Sequence, residues 1–343
     1  MGALQYGQAK GTSTSNTGFR LVRPAYAAVL RLAPALLVLT LAACSSSTGT
    51  TSRADGPWPD PRTDAALQAA VEVAAEGFDG AVGVYVRHLP TGRTASLRRD
   101  ELFPTASMVK VPILLAVFDR IEAGELSMGD EIVFRDSLRY GSGELFAELR
   151  DSATVSLHSA VEQMLAASDN TASLWLQAMV TGEAVNDWLA GHGFEGTRVN
   201  SRVEGRRPDW ERYGWGQTTP YEMTEILRRI VEGEAISPAA DLEMHRLLTR
   251  THYDDEAIFA LPPSIQAASK QGAVSESKSE VVYVHAPSGP YVFTVVTRDQ
   301  GDVGYEPNNA GFVLIREMSR LFWDTFEPDH PWTPPAGAER FQF

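Results

Sequence analysis

The stretch that decides the fold runs from Phe103 to Lys110 and reads Phe-Pro-Thr-Ala-Ser-Met-Val-Lys. Ser107 and Lys110 are three positions apart, and on a helix such residues lie on the same face. A serine hydroxyl is a poor nucleophile at neutral pH unless a neighbouring base removes its proton. Lys110 can be that base if burial or a nearby cation lowers the pKa of its ammonium group. The alternative is an ordinary helix N-terminus with a capping serine and a solvated lysine.

The residues on either side of Ser107 favour the catalytic interpretation. Pro104 enforces an extended approach to it. After it, residues 111–118 read Val-Pro-Ile-Leu-Leu-Ala-Val-Phe, an almost wholly apolar run. A helix that is apolar on all sides is buried. Ser107 is therefore expected at the mouth of a buried helix, where the positive end of the helix dipole favours negative charge on an attacking oxygen.

A second motif, Ser168-Asp169-Asn170, follows 61 residues after Ser107. Helical patterns over 156–165 and 171–180 flank this triplet, so it is expected on the short turn between two helices. One site can then contain two hydroxyls, an amine and a carboxamide.

Composition excludes several classes of function. The chain has 343 residues, of which 43% are hydrophobic, and this is enough for a large core in one or two domains. Its formal net charge of −14 argues against a nucleic-acid partner. The seven histidines are scattered without His-x-His or His-Glu-x-x-His spacing, which argues against a zinc hydrolase. We therefore expect no metal and no cofactor.

The N-terminal segment is typical of an exported protein. Three arginines within the first 31 residues precede a short apolar segment, 32–43, that is too short to span a membrane and fits a secretory signal. It ends in Leu-Ala-Ala-Cys, with Cys44 the only cysteine of the chain. That ending resembles the lipobox of bacterial lipoproteins, which implies a lipid on Cys44 that holds the exported protein at the membrane. The alternative is an ordinary signal peptide cut near Ala43, with Cys44 a free thiol.

The chain thus divides into a signal peptide over 1–43, a flexible Ser/Thr/Gly/Pro linker over 44–60 and a single domain over 61–343. Periodicity predicts a helix and a hairpin at the start of the domain, then a mainly helical middle with a capping box at Thr219–Glu222. Three strands and a closing helix end the domain. The predicted fold class is α/β (α+β): an antiparallel sheet built from both chain ends, flanked by helices, with an inserted all-α subdomain. The predicted elements are helices at 63–76, 156–165, 171–180, 219–232, 238–250 and 308–326, and strands at 81–86, 94–97, 266–274, 280–285 and 291–297.

On these motifs, residues 62–326 resemble the class A serine β-lactamases and the penicillin-recognising hydrolases around them. Residues 103–110 resemble the first motif of that family and residues 168–172 the second. Arg202-Val203-Glu204 is similar to the Arg-x-Glu that opens the omega loop. Residues 218–223 resemble the threonine-rich entry to the next helix, and Lys270-Gln271-Gly272 stands where the third motif is expected.

The resemblance implies an acyl-enzyme mechanism that opens a β-lactam amide. Ser107 would be the nucleophile, and Lys110, or Glu204 through a water, would remove its proton. Ser168 would pass a proton to the leaving nitrogen, while Lys270 keeps the local field positive. Glu204 would then activate the water that releases the acyl group.

The resemblance assigns the remaining site residues to binding and support. The backbone N–H groups of the nucleophile and of Ala273, which follows Gly272, would form the oxyanion hole. Asn170 would offer its amide to the acylamino group of the substrate. Arg202 would hold the omega loop through an ion pair, and Asp169 would hold the turn.

Two departures bear on the substrate. Gln271 stands where the family usually has a hydroxyl residue that meets the substrate carboxylate. Pro208 stands four residues after Glu204, where an asparagine commonly helps to place the deacylating water. We expect both to reduce penicillin hydrolysis. The aromatic residues Trp210, Tyr213 and Trp215 are expected to pack the loop, and the alternative is that they line the site.

Three functions follow from these features. The first is a membrane-tethered serine hydrolase that opens β-lactams, expected as a monomer. The second is a peptidase or esterase acting on cell-wall peptides, or a penicillin-binding protein that deacylates slowly. The third is a non-catalytic lipoprotein that binds the cell wall. A binding module has no physical need for five candidate catalytic groups together, namely Ser107, Lys110, Ser168, Glu204 and Lys270.

Overall fold

The computed structural model of the chain describes residues 58–141 and 144–341. The predicted signal peptide, Cys44 and nearly all of the predicted linker lie outside the described residues. Within the described ranges, no helix has the length and apolarity needed to cross a lipid bilayer. The helices are α1 (Ala65–Ala74), α2 (Lys110–Glu122), α3 (Leu157–Ala166), α4 (Asn170–Val180), α5 (Gly182–Gly191), α6 (Arg207–Tyr213), α7 (Pro220–Val231), α8 (Pro238–Leu248) and α9 (Ala310–Phe326).

The central sheet confirms the expected fold class. The strands are β1 (Arg62–Thr63), β2 (Ala81–His88), β3 (Arg93–Leu97), β4 (Phe103–Pro104), β5 (Glu131–Val133), β6 (Thr154–Ser156), β7 (Arg198–Val199), β8 (Gly216–Thr218), β9 (Ala267–Val274), β10 (Ser277–Val284) and β11 (Tyr291–Arg298). Six of them form one sheet in the order β1-β3-β2-β11-β10-β9. Only β1, which runs parallel to β3, departs from the antiparallel pairing of that sheet. The third motif therefore lies on an edge strand, β9.

Both faces of the sheet are covered by apolar cores. Alternate residues of β10 separate to the two sides, with Val281 in the core around α2 and Val282 in the core beneath α1 and α9. Helix α2 is buried from Lys110 to Phe118. This burial confirms the prediction from the apolar run, and it fixes the helix that presents the first motif.

A small second sheet anchors the approach to Ser107. Strand β4 pairs with β8, which in turn pairs with β7. Directly after β4, the N–H of Thr105 donates a hydrogen bond to the carbonyl of Gly216 at 3.0 Å. The segment before the nucleophile is therefore tied to the segment that closes the omega loop.

The predicted capping box at Thr219 forms only in half. The Thr219 hydroxyl accepts a hydrogen bond from the Glu222 N–H at 3.1 Å. The Glu222 carboxylate does not return to Thr219, because it accepts the N–H groups of Glu195, Gly196 and Thr197 at 2.6–3.1 Å. The glutamate thus joins α7 to the loop before β7.

Candidate active site

The backbone holds Ser107 in a strained turn. Residues Ala106–Val109 form a single 3-10 turn that leads into α2. Ala106 has φ of +44°, a conformation that costs free energy for a residue with a side chain. Ser107 therefore lies in the 3-10 turn just before the α-helix, which agrees with its expected place at the mouth of a buried helix. The i, i+3 relation nevertheless brings the Nζ atom of Lys110 to 3.1 Å from the Ser107 Oγ atom.

Four oxygen atoms surround the Lys110 amine. Besides the Ser107 hydroxyl, Nζ lies 2.9 Å from the Ser168 Oγ atom and 2.9 Å from the Asn170 Oδ1 atom. It also contacts the Ser168 carbonyl closely. An ammonium group has three N–H donors, and a neutral amine has two donors and one lone pair. In the neutral form, a serine hydroxyl can therefore donate its hydrogen to Nζ, as a general base requires.

The surroundings of Lys110 favour that neutral form. Its side chain is fully buried. Burial lowers the pKa of Lys110 well below its usual range, and the positive charge of Lys270 lowers it further. The carboxylates of Glu144 and Asp169 act in the opposite direction. Burial and a nearby cation are the two causes that the sequence led us to expect, and Lys270 is that cation.

The second motif lies on the turn between α3 and α4, as predicted. Ser168 has φ of +55°, so the turn aims both its hydroxyl and its carbonyl at Lys110. Asp169 caps α4, because its carboxylate accepts the Ala172 N–H at 2.7 Å. Its other oxygen accepts the Phe146 N–H at 3.0 Å, which ties the turn to the preceding loop.

Glu144 is a site residue that sequence analysis missed. Its carboxylate accepts the Asn170 N–H at 2.8 Å, the Asn170 side-chain N–H at 2.7 Å and the Thr171 N–H at 3.0 Å. Both ends of the Asn170 amide are thereby engaged, since its Oδ1 atom faces Lys110. One Nδ2 hydrogen remains for a substrate. No motif around Glu144 indicates this role, because the contact depends on how its loop folds over α4.

The edge strand β9 lies directly against the nucleophile. A Cβ atom at Gly272 would come within 2.8 Å of the Ser107 backbone nitrogen and 2.6 Å of the Thr105 carbonyl oxygen. Only glycine allows this approach. Ser279, opposite Gly272 on β10, donates a hydrogen bond to the Gly272 carbonyl at 3.1 Å. Ala273 follows and lines the space in front of Ser107.

Lys270 and Gln271 interact with one another. Lys270 is fully buried, and its Nζ atom donates to both the carbonyl and the side-chain Oε1 atom of Gln271. Burial lowers the pKa of Lys270 to about 7, although the carboxyl groups of Glu256 and Glu280 partly offset this. Gln271 therefore engages the amine of Lys270, the residue expected from the sequence to keep the local field positive.

Two cavities meet at Ser107. The first, about 570 Å³, is lined by Tyr140, Trp210, Tyr213 and Trp215 and is called the aromatic cavity below. Tyr140 stacks on Trp215 with ring centroids 6.1 Å apart. The three loop aromatics therefore form a wall of the site, which is the alternative to the packing role favoured from the sequence.

The second cavity, about 490 Å³, lies on the side of Ser168 and Gln271. Its lining includes the carboxyl groups of Glu144, Asp169, Asp255 and Glu256, and it is called the acidic cavity below. Ser107, Asn170 and Ala273 line both cavities, whereas Ser168 lines only the acidic one.

The omega-loop residues are arranged differently from the expectation. Glu204 is exposed, its N–H donates to the Glu183 carboxylate at 3.2 Å, and it lines neither cavity. Arg202 lines the aromatic cavity and makes no ion pair within the described ranges. The loop is held by Arg206, which donates to Asn200 Oδ1 at 2.7 Å and to Gln217 Oε1 at 3.0 Å.

The site thus combines a serine beside a buried lysine with an edge strand of the central sheet and an inserted helical region. Residues 64–326 match the family model described as "Beta-lactamase enzyme family", and the chain belongs to that family. This agrees with the resemblance found in the sequence.

Named relatives and solved structures are consistent with this membership. A β-lactamase of Rhodobacter capsulatus is 28% identical over 261 residues, covering 74% of this chain and 86% of that protein. The β-lactamase AST-1 of Nocardia asteroides is 28% identical over 311 residues, covering 85% and 93%. The structure of PBP-A matches with a TM-score of 0.70 at 24% identity, over 79% of this chain and 99% of PBP-A. The crystal structure of a β-lactamase from Sphaerobacter thermophilus matches with a TM-score of 0.69 at 27% identity, over 78% and 100%.

Proposed function

We propose that this protein is a serine hydrolase of the class A type, which opens β-lactam amides through an acyl-enzyme on Ser107. The observation that carries the proposal is the buried Lys110 amine, 3.1 Å from the Ser107 hydroxyl and 2.9 Å from the Ser168 hydroxyl, where two cavities meet. Membership of the family supports the same reaction. The relatives named above are β-lactamases, and a variant of PBP-A was solved as an acyl-enzyme complex with penicillin G.

Acylation uses groups that already contact one another. Ser107 Oγ attacks the ring carbonyl as its proton passes to the neutral Lys110 amine. The oxyanion would bind the N–H groups of Ser107 and Ala273. The proton then moves from Lys110 through the Ser168 hydroxyl to the ring nitrogen, and the C–N bond breaks. The products are an ester on Ser107 and a secondary amine.

Deacylation requires a base for water. Lys110 is neutral again once its proton has left with the ring nitrogen, so it can accept the proton of a water that attacks the ester. Glu204 was the base expected from the sequence, and its exposed position does not support that role.

A second candidate is a penicillin-binding hydrolase whose acyl-enzyme is released slowly. The specific observation in its favour is the absence of Glu204 from the lining of both cavities at Ser107. Both candidates share the acylation step and differ only in the rate of release.

One experiment tests both candidates. The full-length protein is mixed with excess nitrocefin or penicillin G, and its intact mass is followed over time beside the Ser107→Ala variant. A transient adduct with steady product release supports a β-lactamase, and a lasting adduct supports the slow hydrolase. Absence of both adduct and product in the wild-type protein refutes the proposal.

We also propose that the chain is exported and held at the membrane by a lipid on Cys44. The proposal rests on the Leu-Ala-Ala-Cys sequence at 41–44 and the basic and apolar segments before it. Replacing Cys44 by serine should move the protein from the membrane fraction to the soluble fraction. Equal partitioning of the two proteins would contradict the lipid anchor.

A further inference from the structure

The direction in which a substrate lies in the site follows from Ser168. The leaving atom must approach the group that gives it a proton, and Ser168 is the hydroxyl within reach of Lys110 that can do so. Ser168 lines the acidic cavity and not the aromatic one. The leaving group of a substrate therefore extends into the acidic cavity, and its acyl substituent extends into the aromatic cavity.

The acidic cavity is lined by carboxyl groups and not by cationic side chains. Its lining includes four carboxyl residues, and none of its described lining residues is a lysine or arginine. Three buried lysines lie next to the cavity, and all are engaged. Lys270 Nζ donates to Gln271, and Lys110 Nζ contacts Ser107, Ser168 and Asn170. Lys278 Nζ donates to the carbonyls of Val274 and Ser275. A carboxylate on the leaving group would find no free cation among the residues that line this cavity.

Glu256 gives an independent indication of the ligand. Only 5% of its surface is exposed, it lines the cavity, and its Oε2 atom has no hydrogen-bond partner among the described residues. Burial and the neighbouring Glu280 and Asp255 raise the pKa of Glu256 well above its usual value. Lys270 and Arg316 offset this only in part. A cation in the cavity would stabilise the ionised carboxylate, and an anion would add repulsion.

The aromatic residues of the same cavity are already used in contacts with a cation. Tyr305 and Phe312 line it, and the Lys278 Nζ atom lies 4.3 Å from the Tyr305 ring centroid and 5.3 Å from that of Phe312. Aromatic faces attract ammonium groups. The rings thus already hold one ammonium group, that of Lys278, beside the carboxyl groups.

We infer that the site selects acyl donors whose leaving group is cationic over neutral ones, and neutral over those that carry a carboxylate beside the leaving atom. This inference rests on the proposed acyl-enzyme at Ser107. Penicillins carry a carboxylate beside the ring nitrogen, so they belong to the disfavoured class. Gln271 lines this cavity and holds the Lys270 amine through its carbonyl and side-chain oxygens, which fits this selection.

Three thioesters of benzoylglycine isolate the charge of the leaving group. Their thiols are cysteamine (cationic), mercaptoacetamide (neutral) and mercaptoacetate (anionic). Ser107 Oγ forms a bond to the carbonyl carbon, the C–S bond breaks, and the thiol leaves with the proton from Lys110. Water then converts the acyl-enzyme to benzoylglycine, so the balance is thioester and water to acid and thiol. Thiol release gives kcat/KM, which is divided by the hydroxide hydrolysis rate of the same thioester.

A matched pair of variants tests whether the charge selection depends on a carboxyl group of the acidic cavity. Glu256→Gln removes a carboxyl group from the acidic cavity while keeping its size. Glu276→Gln makes the same change at an exposed residue that lines only the aromatic cavity. A cation near one or two carboxylates is expected to give a normalised preference for cysteamine over mercaptoacetate of about tenfold or more. We expect Glu256→Gln to reduce this ratio about fivefold and Glu276→Gln to leave it unchanged.

The wild-type ratio decides the inference even if Glu256→Gln does not fold. An equal or greater normalised rate for mercaptoacetate, with Ser107-dependent turnover of all three, overturns the charge selection and leaves the acyl-enzyme standing. An equal reduction of the cysteamine-to-mercaptoacetate ratio in Glu256→Gln and Glu276→Gln also overturns the charge selection. If none of the three thioesters reacts and no β-lactam forms an adduct on Ser107, the proposed function falls and this inference falls with it.

Discussion

Gly272 offers a sharp test of how the edge strand positions the nucleophile. In Gly272→Ala, the new Cβ atom would lie 2.6 Å from the Thr105 carbonyl oxygen and 2.8 Å from the Ser107 nitrogen. Ordinary contact begins at 3.4 Å, so β9 must move away by about 0.8 Å from the Thr105 carbonyl and by about 0.6 Å from the Ser107 nitrogen. A third contact, 2.8 Å to the Ser279 hydroxyl, can relax by rotation of that side chain. The first two are backbone atoms and cannot.

This displacement acts on the oxyanion hole. The Ser107 and Ala273 N–H groups would move apart, and loss of one such donor costs about a hundred- to a thousandfold in rate. We expect the rate constant of acylation by nitrocefin to fall about a hundredfold. Overpacking of a well-packed contact costs about 1–3 kcal/mol of the free energy of unfolding, so the variant should still fold.

The assay is stopped-flow acylation together with thermal unfolding. Gly191→Ala is the control, because a Cβ atom at Gly191 meets no heavy atom within 4 Å. Its acylation rate should equal that of the wild-type protein. If Gly272→Ala acylates within threefold of the wild type while remaining folded, the argument that β9 and Ser107 form one rigid oxyanion hole is refuted.

Three further predictions concern the base and the omega loop. Lys110→Met should lower the acylation rate about a hundred- to ten-thousandfold. In the wild-type protein, burial lowers the pKa of Lys110, so the acylation rate should decline only when the pH falls below that lowered value. An acylation rate that rises on acidification would contradict this role of Lys110. Arg206→Gln should increase amide hydrogen exchange across residues 200–217, because two side-chain hydrogen bonds and the 3.0 Å ion pair with Asp209 are lost. Arg202→Gln should leave the exchange unchanged. If Arg202→Gln increased the exchange more than Arg206→Gln, the ion-pair role expected for Arg202 would be supported instead. Glu204→Gln should change the deacylation rate less than threefold, measured as decay of the acyl-enzyme mass, and a loss of a hundredfold would identify Glu204 as the deacylating base.

Short-range patterns allowed much of the site to be predicted. The three-residue spacing of Ser107 and Lys110 brings their side chains together even though the turn is 3-10 rather than α-helical. The helical patterns on either side of residues 168–170 predict that the second motif lies on a turn. The pattern of the last strands predicts a sheet, and in the structure Lys270 and Gln271 lie on its edge strand.

What could not be predicted depends on loops that meet across long sequence separations. Glu144 contacts Asn170 26 residues away, with no periodic pattern to signal it. The aromatic wall and the loop-holding role of Arg206 follow from the path of residues 200–217, which the hydrogen bonds of Asn200 and Gln217 fix.

The sequence by itself determined the family, the sheet built from both chain ends and the pairing of Ser107 with Lys110, because residue spacing and side-chain polarity encode contacts within a helix, a turn or a strand. Only the tertiary structure decided that Glu204 faces solvent, that Gln271 turns back to Lys270, and that acidic groups line the side of Ser168. These features arise where separate segments pack together, and the free energy of that packing depends on the whole fold rather than on any one stretch of the chain.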